Sequence, residues 1–106
     1  MFKILKNIFS PAEKDGGLID ILKNDAYLVD VRSPLEYSSG SVKGAVNIPL
    51  DTIKSQLPKF QNKENIVVFC RSGARSSRAK SILKNYGIEG VINGGSMQNV
   101  QAALKA

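Results

Sequence analysis

Apolar and polar positions change period several times along this chain, and each change predicts an element. Leu18, Ile21 and Leu22 share one helical face, and "AYLVDV" after them is a compact apolar run suited to a strand buried on both faces. "SPLEY" predicts a helix start, with Ser33 as N-cap, Pro34 at the first helical position and Glu36 completing a capping box. "GAVNIPL" reads as strand, and "DTIKSQLPKF" sets Ile53, Leu57 and Phe60 on a helical face that Pro58 shortens or bends near its end. "NIVVF", apolar and β-branched, predicts a central strand. Ala79, Ile82, Leu83 and Tyr86 mark an amphipathic helix that begins near Ser76 and ends at Gly87 in the left-handed conformation. "GVIN" gives one more short strand, and Met97, Val100 and Leu104 stripe a last helix. Strands alternating with helices predict an α/β, three-layer fold: a central parallel sheet of about four or five strands with helices on both faces. Ahead of this, Phe2, Leu5 and Phe9 recur at helix-like spacing, which suits a short amphipathic helix, an edge strand or a membrane-surface contact, packing against the domain being the simplest reading.

With 106 residues the chain can bury one core, so residues 1–106 form one domain, with 1–16 as an N-terminal extension. No apolar stretch approaches the roughly 20 residues that cross a bilayer, and "MFKILKNIF" lacks the unbroken apolar core and cleavage site of a signal peptide. A cytoplasmic protein without stable membrane insertion is expected. The net charge of +6 comes mostly from scattered lysines, and with 7% aromatic residues the chain lacks the basic and aromatic interleaving of nucleic-acid binders. An anionic small molecule or an acidic partner protein fits that charge. The chain has no histidine and one cysteine, Cys70. This rules out an internal disulfide, the usual nitrogen ligands of zinc or copper, and the imidazole base of cysteine proteases and serine hydrolases. No metal and no cofactor are expected.

Cys70 ends the "IVVF" strand and is followed by Arg71, Ser72, Gly73, Ala74 and Arg75. In open α/β sheets, ligands bind at the carboxyl ends of strands. A loop curling there turns successive amides inward, and Gly73 relieves the steric limit on a tight curl. Those amides, the positive end of the following helix and the Arg71 and Arg75 guanidinium groups all favour thiolate over thiol. Each unit of pKa depression corresponds to about 1.4 kcal/mol of preferential thiolate stabilisation, so a shift of one or two units makes a nucleophile without a general base. The competing reading treats Cys70 as a small buried hydrophobe, and it would hold if the sulfur lay among hydrocarbon with nearby amides aimed elsewhere. Arg78 and Lys80 read as a solvated face.

On these residues the chain resembles the rhodanese family of sulfurtransferases. "LVDVRSPLEYSSGSVKGAVNIPL" is similar to the family's Asp-Val-Arg, Glu-Tyr, Gly and Gly-Ala-x-Asn-Ile-Pro signature, "VVFCRSGARS" to the catalytic loop of single-domain members, and "GVINGG" to the strand and glycine pair that follow. The resemblance implies a ping-pong transfer in which Cys70 takes a sulfane sulfur from thiosulfate or a similar donor. The resulting persulfide passes it to cyanide, a thiol or a thioredoxin-like protein. It implies Cys70 as catalyst, the backbone amides of Arg71, Ser72, Gly73, Ala74 and Arg75 as the cradle of the persulfide charge, and the two arginine side chains as attractors of the anionic donor. Asp30, Arg32 and Glu36 fall in the first signature, where structural pairing behind the loop is expected. Two departures stand out. Ser41 occupies a position where many relatives carry histidine, which removes a polar packing element. "GGSMQNV" has no tryptophan after the glycine pair, so the last helix is expected to pack less tightly.

Two other functions compete. Phosphatases and arsenate reductases of the same fold have a loop one residue longer, with cysteine, five residues, then arginine. Here Ser76 stands where that arginine would be. A non-catalytic rhodanese-like binding or regulatory module is the other, and such modules commonly lose the cysteine that this chain keeps.

Overall fold

A computed structural model of the chain describes residues 17–106. The apolar spacing of Phe2, Leu5 and Phe9 lies outside the described residues. The described elements run α1 (Leu18–Leu22), β1 (Tyr27–Asp30), α2 (Pro34–Ser38), β2 (Val46–Asn47), a 3-10 segment (Leu50–Phe60), β3 (Ile66–Cys70), α3 (Ala74–Asn85), β4 (Ile92–Ser96) and α4 (Met97–Leu104). The strands form one four-stranded sheet in the order β2-β1-β3-β4, with every pairing parallel. β3 is therefore central, as its β-branched sequence predicts, and all five of its residues are buried.

Strand alternation divides the core in two. Ile66, Val68 and Cys70 point to one face, where they join Val29, Ile53, Phe60, Ala79 and Leu83. Val67 and Phe69 point to the other, where they join Leu18, Leu28, Val42 and Val100. α3 and the 3-10 segment thus cover the first face, and α1 and α4 the second, giving the three expected layers. Each fully buried side chain of this size contributes about 1.5–3 kcal/mol over leaving it exposed.

The structure departs from the hydropathy reading at five places. The helix expected across "DTIKSQLPKF" is a 3-10 segment, broken at Gln56 (φ −124°, ψ 27°) rather than at Pro58. Proline lacks the N–H and crowds the carbonyl four residues back, so the disturbance falls on the turn before it. "GAVNIPL" contributes only the short edge strand β2. α3 starts at Ala74, two residues before Ser76, because Gly73 takes the N-cap position with φ 101°. β4 runs on through Gly94 and Gly95 instead of stopping before them. A β-carbon on Gly94 would lie 2.8 Å from Val100 Cγ2 and 3.0 Å from Val67 Cγ1, so α4 and β3 close on β4 where a side chain is missing. Finally, Tyr86 and Leu104, assigned by spacing to apolar helix faces, are 53% and 44% exposed. Both sit at helix ends, beyond the reach of the sheet. Gly87 closes α3 as expected, with φ 86°. None of the described helices is long and apolar enough to cross a membrane.

Candidate active site

β1 and β3 lie side by side and end at the same edge of the sheet, with Asp30 opposite Phe69. The turns that follow them build the site. After β1, Asp30 is fully buried and its carboxylate accepts hydrogen bonds from the Arg32 backbone N–H (2.9 Å), Arg32 Nε (3.0 Å) and Arg32 Nη2 (2.7 Å). Arg32 Nη2 also donates to the Gly40 carbonyl at 2.7 Å. The structural pairing expected of these two residues is present. Ser41 is a correction: its hydroxyl donates to Asp30 Oδ2 at 2.7 Å, so the polar packing element expected to be lost is supplied by serine. A short side chain suffices because the loop carries Ser41 directly to the carboxylate.

Ser33 and Glu36 form the expected capping box: Glu36 N–H donates to Ser33 Oγ (3.2 Å) and Ser33 N–H to Glu36 Oε1 (3.0 Å). Glu36 does more than cap. It receives Arg75 Nη1 on Oε1 at 2.7 Å and Arg75 Nη2 on Oε2 at 3.1 Å, a bidentate pair that ties α2 to α3. The Arg75 guanidinium, with the Ser33 N–H second, holds the Glu36 carboxyl down to about 2.

After β3, Cys70 is 1% exposed, whereas Arg71, Ser72 and Ala74 are exposed, so the sulfur lies at the base of its loop. It is not enclosed by hydrocarbon alone. The Gly73 N–H donates to Sγ at 3.0 Å, and the Ser76 hydroxyl lies 3.5 Å from it. Burial pushes the thiol up, but the Ser76 hydroxyl and the backbone amides of Ser76, Gly73 and Ser72 outweigh burial and leave it below its ordinary value. The amides of α3 are available because its N-cap is glycine and no acidic side chain occupies its first turn.

The two arginines do not converge. Arg71 borders a cleft of about 250 Å³ with Arg32, Glu36, Ser39, Met97 and Gln98, while Arg75 borders another of about 300 Å³ with Val31, Ser33, Pro34, Pro49, Leu50 and Asp51. Glu36 compensates the charge of Arg75 but makes no ion pair with Arg71.

The sequence over residues 15–103 matches the rhodanese-like domain. The chain belongs to the rhodanese-like family. Rhodanese-like relatives include the thiosulfate sulfurtransferase PspE of Escherichia coli, 35% identical over 74 residues that cover 68% of this chain and 71% of that protein. The tRNA uridine(34) hydroxylase of Hamiltonella defensa is 34% identical over 89 residues, 76% of this chain but only 25% of that protein. The chain therefore spans about a quarter of the hydroxylase's length. Among solved rhodanese-like structures, the human single-domain sulfurtransferase TSTD1 superposes with a TM-score of 0.67 at 29% identity, covering 77% of this chain and 86% of that one.

Three features of this rhodanese-like site escape the sequence reading. One is the contact of Ser76 with Sγ. The second is Asn93, whose Oδ1 accepts from Ser76 Oγ at 2.6 Å and from the Gly95 N–H at 2.9 Å. The third is the Arg75–Glu36 pair. A serine in the first turn of an uncapped helix directly after a cysteine loop is the signal that could have flagged Ser76. Asn93 lies 17 residues further along the chain and carries no such local sign.

Proposed function

We propose that this chain is a sulfurtransferase of the thiosulfate type, working in the cytoplasm, where a reducing thiol pool keeps Cys70 free. The Cys70 thiolate attacks the outer sulfur of thiosulfate or a similar sulfane donor. The S–S bond of the donor breaks, sulfite leaves with the electron pair, and Cys70 becomes a persulfide. A nucleophilic acceptor, either cyanide, a small thiol or a thioredoxin-like protein, then takes the outer sulfur and returns Cys70 to thiolate. The backbone amides of Arg71, Ser72, Gly73, Ala74 and Arg75 are the proposed cradle for the charge on the persulfide. Arg71, exposed and outside any ion pair among the described residues, is the cation left to attract the donor, because Arg75 shares its charge with Glu36.

The observation that carries this reading is the Gly73 amide directed at Sγ at 3.0 Å in a loop that depresses the thiol. The length of the loop supports it over phosphatase chemistry, since Ser76 stands where a wider phosphate cradle would place arginine. Incubation with thiosulfate followed by intact mass measurement is expected to show one added sulfur that dithiothreitol removes and that Cys70→Ala abolishes. Aryl-phosphate hydrolysis without any sulfur adduct would overturn the reading in favour of a phosphatase. Neither activity, together with an unchanged phenotype for Cys70→Ser, would favour a binding module.

A further inference from the structure

Ser76 is fully buried and has one hydroxyl proton facing three acceptors: Asn93 Oδ1 at 2.6 Å, the Gly73 carbonyl at 3.1 Å and Cys70 Sγ at 3.5 Å. The orientation of the Asn93 amide is set by its other partners. Its Oδ1 already accepts from the Gly95 N–H, and its Nδ2 faces the Gly73 carbonyl at 3.4 Å. Oδ1 can only accept, so in the arrangement seen the shortest of the three contacts takes the hydroxyl proton. A charged sulfur changes that competition, because a hydrogen bond to an ionised acceptor is roughly twice as strong as a neutral one. The hydroxyl then turns from Asn93 to Sγ.

We propose that the Ser76 hydroxyl stabilises Sγ as the departing thiolate when an acceptor removes the outer sulfur of the persulfide, and that Asn93 is the positioning residue that holds this hydroxyl while Sγ is uncharged. The inference rests on the sulfur-transfer reading above. In the persulfide the negative charge sits on the outer sulfur, and Sγ is a neutral bridge, so Ser76 points to Asn93. Attack by an acceptor thiolate forms a bond to the outer sulfur and breaks the bond between the two sulfurs. The electron pair of that bond passes to Sγ, and the acceptor leaves as a persulfide carrying the charge that the outer sulfur held. No proton is transferred; the Ser76 hydroxyl rotates onto the sulfur as its charge appears.

This assignment has a signature that a purely structural role lacks. A thiolate stabilised by an extra hydrogen bond is a better leaving group and a poorer nucleophile, and each rate responds to about half of the change in thiol basicity. Ser76→Ala is therefore expected to move the two half-reactions in opposite directions. Measured at a pH where Cys70 is ionised in both proteins, loading from thiosulfate should quicken about threefold and discharge to a thiol should slow about threefold. The midpoint of iodoacetamide alkylation should rise by about one pH unit. Asn93→Ala should give the reverse: a lower alkylation midpoint, slower loading and faster discharge. If Ser76→Ala cannot be loaded at all, the sign of the Asn93→Ala shifts decides. Both half-reactions slowing together, neither moving, or Asn93→Ala raising the midpoint overturns the assignment and leaves sulfur transfer standing. Failure of the wild-type protein to take up sulfur overturns both.

Discussion

The turns after β1 and β3 leave adjacent parallel strands at the same edge of the sheet, each entering a helix, yet one is inert in the proposed chemistry and the other holds the sulfur proposed to be reactive. The difference lies in how the first amides of each helix are occupied. At α2 the chain satisfies them itself: Ser33 Oγ accepts from Glu36 N–H, Glu36 reaches back to Ser33 N–H, and Pro34 has no N–H to offer. At α3 no side chain caps the helix, Gly73 sits at the N-cap, and its N–H finds Cys70 Sγ at 3.0 Å. An uncapped helix end beside a thiol favours negative charge there, and so favours the thiolate form of Cys70 over the thiol. In the proposed chemistry, withholding a cap matters as much as placing the cysteine.

The sharpest break in this comparison comes from the inert side. Asp30→Ala leaves the buried Arg32 guanidinium without its carboxylate and should cost about 3–5 kcal/mol, read from the urea midpoint. A cost near zero would mean that the pair is not what anchors this turn. Next in size is the effect of capping the reactive turn. Gly73→Asp places a carboxylate among the amides that serve the sulfur, while Gly73→Asn imposes similar backbone strain at φ 101° without the charge. Measured below the thiol midpoint, the aspartate variant is expected to load sulfur about three- to tenfold more slowly than the asparagine variant, because one or two pKa units on Cys70 remove thiolate while the greater nucleophilicity of what remains offsets about half of the loss. Equal rates would show that the amides do not set the sulfur's reactivity. Ser33→Ala is smaller still, costing about 1 kcal/mol of stability through the lost cap while leaving the Cys70 alkylation midpoint where it was.

What could be read before the structure follows the range of the interactions. The capping box of Ser33 and Glu36 spans three residues, and the order Cys70, Gly73, helix is equally local, so both were visible in the sequence, while the missing cap and the earlier start of α3 were not. The central place of β3 was visible as well, because burial on both faces leaves no polar alternation. Arg75 and Glu36 are 39 positions apart, and Asn93 is 17 from Ser76; only the sheet order brings them together. The same limit hid the role of Ser41, which is defined by a carboxylate 11 residues away. Spacing also overextended the apolar faces to Tyr86 and Leu104, since periodicity continues past the point where a helix leaves the sheet.

The smallest effect concerns the Arg75–Glu36 ion pair that joins the two turns, and it tests whether the inert side supports the one that carries Cys70. Glu36 titrates at about 2 in the folded protein against 4.5 ordinarily, first because of Arg75 and then because of the Ser33 N–H. A depressed carboxyl binds its proton more readily in the unfolded chain, so its stabilising contribution is complete above about 4.5 and disappears as the pH falls through about 2. Glu36→Gln keeps an oxygen to accept from Ser33 N–H but removes the charge. Across that pH window the thermal midpoint of the wild type should therefore fall more steeply than that of the variant, by a small margin because the carboxylate is partly solvated. Freed from its partner, Arg75 should also draw in an anionic donor, lowering KM for thiosulfate a few-fold with a steeper dependence on salt. Parallel acid curves would remove Glu36 from the stability of the link, and an unchanged KM would show that Arg75 stays turned away from the donor even when unpaired.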